Sequence, residues 1–197
     1  MLRRLLHAAV AHPRVYDLVQ DLAGSRTVRN RLALRVGPGR PGLVLDLGGG
    51  TGTVSVLFRS PSSYVCLDLD PLKLAGFRAR RPGGLCLLAD ASRLPLPARS
   101  VDTVVSTFLG HHLADGLLAR TLGEVARVLK PGGRFFFVDP IANPHRRISR
   151  ALWWGDRGSH PRSAEDLRAF IERSLRIDSW EQFAVFHEYV LCVASPR

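Results

Sequence analysis

Residues 44–52 read Val44-Leu45-Asp46-Leu47-Gly48-Gly49-Gly50-Thr51-Gly52, an apolar run that reaches an acid and then four glycines. This pattern predicts a buried β-strand that breaks into a tight turn. Glycine is needed in such a turn where the backbone takes a positive φ, or where a ligand lies against the main chain with no Cβ between them. The stretch therefore predicts a cradle for a small molecule at the end of a parallel strand.

Outward from this turn, strand-like and helix-like segments alternate. Apolar runs predict further strands at residues 64–67, 85–89, 102–107 and 134–139. The segments between and after them predict helices at residues 53–58, 71–80, 114–129 and from 163 onward. The strands are apolar throughout, which is typical of a parallel sheet covered on both faces. Two last runs, residues 177–186 and 188–194, predict a hairpin at the sheet edge. The predicted fold class is α/β, a Rossmann-like three-layer sandwich with a mostly parallel seven-stranded sheet and an antiparallel C-terminal hairpin edge.

Composition indicates a globular protein, with 46% hydrophobic and 23% charged residues. No apolar run approaches the roughly 18–20 residues of a membrane span. Cys66, Cys86 and Cys192 each lie in a strand-like run, without the spacing of a metal site or a disulfide pattern. We therefore expect reduced packing cysteines, no metal site and a cytoplasmic location.

The formal net charge of +11 is concentrated in two segments. Residues 1–42 hold eight arginines against Asp17 and Asp21, a net +6, and residues 140–162 hold five arginines against Asp156, a net +4. The arginines either reflect compositional bias or bind an acidic or phosphorylated substrate, an anionic membrane surface or a nucleic acid. Charge alone does not choose among these alternatives.

Three successive predicted strands end in acids, Asp46, Asp68 and Asp90. Ligands of open parallel sheets bind at the carboxyl ends of the strands. Asp68 lies 22 residues beyond Asp46, the spacing at which a second acid binds the hydroxyls of a ribose. A dinucleotide turn starting at Gly48 requires glycine or alanine at position 53, where this chain has Thr53. The spacing therefore favours a ligand that contains a ribose but no pyrophosphate.

With these residues the chain resembles the class I S-adenosylmethionine-dependent methyltransferases, in particular the small-molecule enzymes similar to those of ubiquinone and menaquinone biosynthesis (methyltransferase type 11). The resemblance is carried in order by residues 44–52, 67–71, 89–91, 94–96, 101–106, 111–113 and 124–133. It implies S-adenosylmethionine as cofactor, S-adenosylhomocysteine as product and in-line methyl transfer to a small molecule. Whether oxygen, nitrogen or carbon is methylated stays open.

The resemblance also implies roles for residues at the strand ends. These are Asp46, Gly48, Gly49, Gly50 and Gly52 for the methionine moiety, Asp68 for the ribose, Leu69 for the adenine ring, Asp90 and Ala91 for the adenine edge, and Thr107 and Phe108 beside the sulfonium. One departure is Gly49, where many members carry cysteine or another small residue.

Methyl transfer depends chiefly on alignment of nucleophile, methyl group and sulfur. A general base is needed only where the acceptor must lose a proton. His111, His112 and Asp139 are candidates, because they follow the fourth and fifth strands at the expected rim of the cleft. The alternative is that the two histidines only shape a loop and start the next helix.

We expect one methyltransferase domain over residues 1–197. It would comprise an N-terminal helical cover (residues 1–42), a cofactor-binding core (43–139), a substrate-side segment (140–162), and a helix with the edge hairpin (163–197). In the substrate-side segment, Trp153 and Trp154 lie among arginines, and they either bind a planar or anionic acceptor or pack the segment itself.

Two other functions stay open at this point. One is an RNA methyltransferase that uses the arginine-rich flanks, although residues 106–109, Ser106-Thr107-Phe108-Leu109, are not the Asn-Pro-Pro-Tyr type expected for methylation of base amines. The other is an S-adenosylmethionine-binding protein without transfer activity. We expect a small-molecule substrate rather than nucleic acid as partner, and we leave open peripheral membrane association and the choice between monomer and homodimer.

Overall fold

The computed structural model of the protein describes residues 25–38, 42–58, 63–143, 160–185 and 187–197. Its helices are α1 (Ser25–Val36), α2 (Pro71–Arg80), α3 (Asp115–Val128) and α4 (Ala164–Glu172). Its strands are β1 (Leu43–Leu47), β2 (Ser63–Asp68), β3 (Leu85–Leu88), β4 (Val101–Thr107), β5 (Leu129–Ile141), β6 (Leu175–Ala184) and β7 (Glu188–Pro196). Short 3-10 turns cover Ser55–Leu57 and Gly110–His112. Residues 1–24 of the predicted N-terminal helical cover, and Trp153 and Trp154, lie outside the described residues.

The seven strands form one sheet in the order β3-β2-β1-β4-β5-β7-β6. Strand β7 pairs antiparallel with both β5 and β6, and the other neighbouring strands pair in parallel. The predicted fold class and the C-terminal hairpin at the sheet edge are confirmed. Because the chain runs outward from β1 to β3 and then returns to β4, the connections diverge between β1 and β4, where a crevice forms at the carboxyl ends of the strands.

Both faces of β1, β2, β4 and β7 are buried, which explains why these strands are largely apolar. On one face, Leu45 and Leu47 of β1 join a cluster that includes residues of α3 and α4. On the other face, Val44 joins a cluster that includes residues of α1 and α2. The three layers therefore result from successive side chains of each strand pointing to opposite faces.

Two helices begin where their capping residues predict. The side chain of Asp70 accepts from the backbone N–H of Leu72 at 2.9 Å, and Pro71 occupies the first helical position of α2. The hydroxyl of Ser163 accepts from the N–H of Asp166 at 3.1 Å at the start of α4. These local contacts satisfy N–H groups that have no partner within the helix.

The structure differs from the prediction at two connections. The helix expected at residues 53–58 is only the 3-10 turn Ser55–Leu57, because the glycine turn occupies the chain up to Gly52. Strand β5 starts at Leu129, which pairs with Val101, although a loop was expected through Gly133. The residues between Leu129 and Arg134 form an irregularity in the pairing instead, with a φ of +77° at Gly132.

Within the described ranges, every helix is too short or too polar to cross a membrane.

Candidate cofactor and acceptor site

The glycine turn follows β1 directly and takes the conformation that its sequence predicts. Gly48, Gly50 and Gly52 have φ values of +66°, +55° and +72°. The N–H of Gly52 donates to the carbonyl of Gly49 at 2.8 Å, which closes the turn. A Cβ at position 52 would also overlap the ring of Phe77. Glycine at 52 is therefore required both by the backbone conformation and by the packing of α2 against the turn.

Asp46 lies behind this turn and has no solvent exposure. The hydroxyl of Tyr64 donates to its Oδ2, whereas its Oδ1 has no hydrogen-bond partner among the described residues. A Cβ at Gly49 would lie 2.5 Å from Asp46 Oδ2 and 2.7 Å from Cys66 Sγ, so the bare glycine makes room for the carboxylate. Burial raises the pKa of Asp46 to about 7, the charge of Asp68 adds to this rise, and the bond from Tyr64 opposes it.

Asp68 ends β2 and connects that strand to the glycine turn. Its Oδ2 accepts from the N–H of Gly50 at 2.9 Å, and its Oδ1 accepts from the N–H of Asp70 at 2.9 Å. The carboxylate is therefore held in one orientation on the ligand side of the turn. Each of its oxygens has a second lone pair, which leaves acceptor capacity for two hydroxyls.

The residues expected to contact adenine lie at the neighbouring strand ends. Leu69 is 67% exposed beside Asp68, and Ala91 is buried. The N–H of Ala89 donates to the carbonyl of Asp68 at 3.2 Å and joins the ends of β2 and β3. Asp90 is exposed, and its Oδ1 accepts from the N–H of Ser92 at 2.8 Å. The structure thus brings these residues together, although the Asp90 carboxylate partly serves to close its own turn.

Thr107 is the last residue of β4, and Phe108 follows it with a φ of +59°. A bulky residue in this region of φ carries backbone strain, and such strain often occurs at functional sites. The N–H of Phe108 donates to the carbonyl of Val138 at 2.9 Å, and its ring lies edge-on to Tyr189 with 5.9 Å between centroids. The backbone is therefore held in this conformation at the carboxyl end of the sheet.

Two of the three candidate catalytic residues form a buried pair. Nδ1 of His111 lies 3.0 Å from Oδ1 of Asp139, and their side chains are 5% and 1% exposed. Burial raises the pKa of Asp139, whereas His111 and the backbone N–H groups of His111 and Gly110 oppose the rise. A Cβ at Gly110 would lie 2.9 Å from Asp139 Oδ2, so glycine permits this close approach. His112 is exposed, with its ring centroid 4.1 Å from that of His111.

The ends of the substrate-side segment lie beside this pair. The N–H of Ala142 donates to the carbonyl of Arg162 at 2.8 Å, and the N–H of His160 donates to the carbonyl of His111 at 3.1 Å. Residues 144–159 lie outside the described residues. The two described ends of the segment are therefore joined to each other, and the second is joined to the loop of His111.

Three residues of the site were not identified from the sequence, because no local pattern marks them. Tyr64 lies within an apolar strand, Gly110 in a loop, and Arg162 among many other arginines. Only the pairing of Asp46 with Cys66 in the sheet indicates that Tyr64, two residues before Cys66, shares a face with Asp46.

Comparison with known proteins agrees with this geometry. Residues 45–137 match the family model described as a methyltransferase domain. This match confirms the predicted resemblance: the central part of the chain is a methyltransferase domain, built on the Rossmann-like fold of S-adenosylmethionine-dependent methyltransferases.

Two relatives and one solved structure illustrate the similarity. An uncharacterized methyltransferase of Mycobacterium tuberculosis is 41% identical over 96 residues, which cover 48% of this chain and 38% of the relative. The ubiquinone/menaquinone biosynthesis C-methyltransferase of Bordetella avium is 36% identical over 135 residues, which cover 63% of this chain and 52% of the relative. A geranyl diphosphate methyltransferase, solved in complex with GPP and sinefungin, superposes with a TM-score of 0.70 at 17% identity, over 87% of this chain and 78% of that chain. The chain thus spans about half or less of the length of these two curated relatives.

Proposed function

We propose that this protein is an S-adenosylmethionine-dependent methyltransferase that acts on a small-molecule acceptor. The observation that carries the proposal is the fixed carboxylate of Asp68 at the edge of a glycine turn, with acceptor capacity left for the two hydroxyls of a ribose. The match of residues 45–137 to the methyltransferase domain family supports it.

The residues at the strand ends fit this cofactor. The positive φ values of Gly48, Gly50 and Gly52 shape the turn that would hold the methionine moiety. The buried Asp46 places a titratable acid behind the turn, with Oδ1 unpartnered among the described residues, and its ionised form favours the ammonium and sulfonium charges. We propose the remaining contacts as a set: Asp68 with the ribose, Leu69, Asp90 and Ala91 with adenine, and Thr107 and Phe108 beside the sulfonium.

When bound, S-adenosylmethionine supplies a methyl group on a positively charged sulfur, and the S–CH₃ bond breaks in line as the acceptor forms its new bond to carbon. The protein's part in this step is alignment, which the fixed turn and the strand ends provide.

For acceptors that lose a proton, we propose His111 as general base and Asp139 as its partner. A carboxylate that accepts from Nδ1–H leaves Nε2 as the nitrogen that receives a proton, and it stabilises the resulting imidazolium. We assign this role to His111 rather than to His112 because Asp139 holds the buried ring of His111, whereas the ring of His112 is exposed. An acceptor with an acidic O–H, N–H or C–H bond suits this pair.

We place the acceptor against residues 140–162. Both described ends of this segment lie beside His111, and the segment contains Trp153 and Trp154 together with Arg146, Arg147, Arg150 and Arg157. Planar or anionic acceptors match these residue types.

Methyl transfer to a cell extract tests the proposal. The protein would be incubated with S-adenosylmethionine labelled in its methyl group and with a small-molecule extract, and labelled products would be identified by mass spectrometry. The proposal predicts formation of S-adenosylhomocysteine that depends on the extract, together with one labelled product class. Absence of turnover with extracts from which proteins and nucleic acids have been removed, but turnover with added RNA, would overturn the small-molecule assignment.

A further inference from the structure

Arg162 uses every N–H of its guanidinium within the described part of the chain. Nε and Nη2 donate to Oδ1 of Asp115 at 2.9 and 2.7 Å. Nη1 donates to the carbonyls of Gly110 and His160 at 3.0 and 3.2 Å, and Nη2 donates to the carbonyl of Leu113 at 2.5 Å. These five bonds match the five donors of the group.

This arrangement is more than an ion pair. The side chain of Arg162 is 6% exposed, whereas that of its carboxylate partner Asp115 is 74% exposed. The buried cation is therefore stabilised mostly by three main-chain carbonyls, two of which belong to the loop that carries His111. A surface ion pair contributes little to stability, and it does not require the arginine to be buried.

The bonds of Arg162 surround His111. Gly110 directly precedes this histidine and Leu113 follows it by two residues, so the guanidinium holds the loop on both sides of the imidazole. The same loop is attached on its other side to Asp139, which accepts from the His111 ring and from the backbone N–H groups of Gly110 and His111. The position of the His111 ring thus depends on two anchors, Asp139 in the sheet and Arg162 at the start of α4.

We propose that Arg162 is a positioning residue, which holds the loop of His111 so that the imidazole keeps its bond to Asp139 and faces the acceptor. This inference rests on the proposed function of His111 as a base. Arg162 also ends the substrate-side segment, and its carbonyl accepts from Ala142.

Histidine NMR tests the inference without an acceptor. Protein labelled with ¹⁵N-histidine gives ring nitrogen signals, and the signal of His111 is assigned by its loss in His111→Gln. Arg162→Met should shift both ring nitrogens of His111 and move its titration midpoint, because the loop loses the bonds that Arg162 donates to the carbonyls of Gly110 and Leu113. Arg162→Lys, with three donors and no fork, should give a smaller shift in the same direction.

Two variants provide matched comparisons. Arg168 lies on α4, which begins directly after Arg162 and Ser163, and it pairs with Glu172 at 2.9 Å on the surface, so Arg168→Met should leave the His111 signals unchanged. Asp115→Asn keeps the three carbonyl bonds of Arg162 and should shift the signals less than Arg162→Met. Should Arg162→Met fail to fold, Arg162→Lys and Asp115→Asn still decide the question, since unchanged His111 signals in both would overturn the inference.

Turnover separates this inference from the proposed function. With the methyl acceptor found in the extract, Arg162→Lys should lower kcat by about 10- to 100-fold, as expected for misplacement of a catalytic group, while the Kd for S-adenosylmethionine stays within about twofold. If His111→Gln leaves kcat unchanged while the His111 signals still depend on Arg162, the base role of His111 is wrong and the anchoring stands. If His111→Gln lowers kcat and Arg162→Lys does not, the positioning role is wrong.

Discussion

The hydroxyl of Tyr64 donates a hydrogen bond to the fully buried carboxylate of Asp46, next to the bare backbone of Gly49. The acid at the end of the first strand is therefore supported from inside the protein, and it lies behind the glycine turn rather than in an open cleft. This geometry makes the site sensitive to pH and to the size of residue 49.

Stability should fall as the pH rises toward neutrality. Because the pKa of Asp46 is about 7 in the folded protein and about 3.8 ordinarily, the folded chain binds more protons than the unfolded chain between these values. The contribution of Asp46 to the free energy of unfolding is fully present below its ordinary pKa. About 4 kcal/mol of this contribution is lost as the pH rises through its folded pKa of about 7. Asp46→Asn should lose this pH dependence, as measured by urea unfolding from pH 5 to pH 8.

Tyr64→Phe is the companion variant. The bond from Tyr64 lowers the pKa of Asp46, so its removal should steepen the loss of stability above neutrality. Parallel stability profiles for the wild-type protein and Asp46→Asn would show that Asp46 does not titrate in this way.

Gly49→Ala should destabilise the protein by about 1–3 kcal/mol, the usual cost of overpacking. The new Cβ would lie 2.5 Å from Asp46 Oδ2 and 2.7 Å from Cys66 Sγ. Adding Cys66→Ala removes the sulfur and should restore part of the stability, as measured by thermal unfolding. Gly123→Ala is the control, because nothing lies within 4 Å of a Cβ there and alanine is the better helix former. It should stabilise the protein, and equal losses at positions 49 and 123 would refute the steric explanation.

His111 and His112 should differ in activity although they are adjacent. If the acceptor loses a proton, His111→Gln and Asp139→Asn should each lower kcat by about 10²–10⁴-fold, the usual contribution of a general base. His112→Gln should have a much smaller effect, since its exposed ring is not held by Asp139. Methyl transfer measured across pH would check this, with loss of the acidic limb of the kcat profile expected in His111→Gln. Equal effects of the two histidine variants would count against the pair.

The sequence predicts those parts of this structure that depend on local signals. The end of β2 at Asp68, the glycine turn after β1, and the helix starts at Asp70 and Ser163 follow from residue type and spacing, because caps and turns are satisfied by neighbours in the chain. The parallel pairing of β1 to β5 follows from the apolar character of these strands and their alternation with helices.

The contacts that shape the site depend on residues distant in sequence, and no local pattern marks them. Tyr64 of β2 donates to Asp46 of the neighbouring strand β1, and Arg162 donates to the carbonyl of Gly110, 52 positions earlier in the chain. Position 49 was noted as a departure from the family, but only the structure shows that the carboxylate of Asp46 and the sulfur of Cys66 occupy the space of its side chain. The predicted start of β5 at residue 134 was wrong for a similar reason, since the strand begins at Leu129, which pairs with Val101 of β4.

Calorimetric titration with S-adenosylmethionine tests the central claim most directly. We expect one cofactor to bind per chain, and we expect Asp68→Asn to weaken binding by about tenfold or more, because hydrogen bonds to a charged partner are worth about 1.5–3 kcal/mol. Glu165→Gln, which neutralises an exposed acid of α4, should bind as the wild-type protein does. Absence of binding by the wild-type protein, or equal affinity of Asp68→Asn and Glu165→Gln, would contradict the assignment of this site.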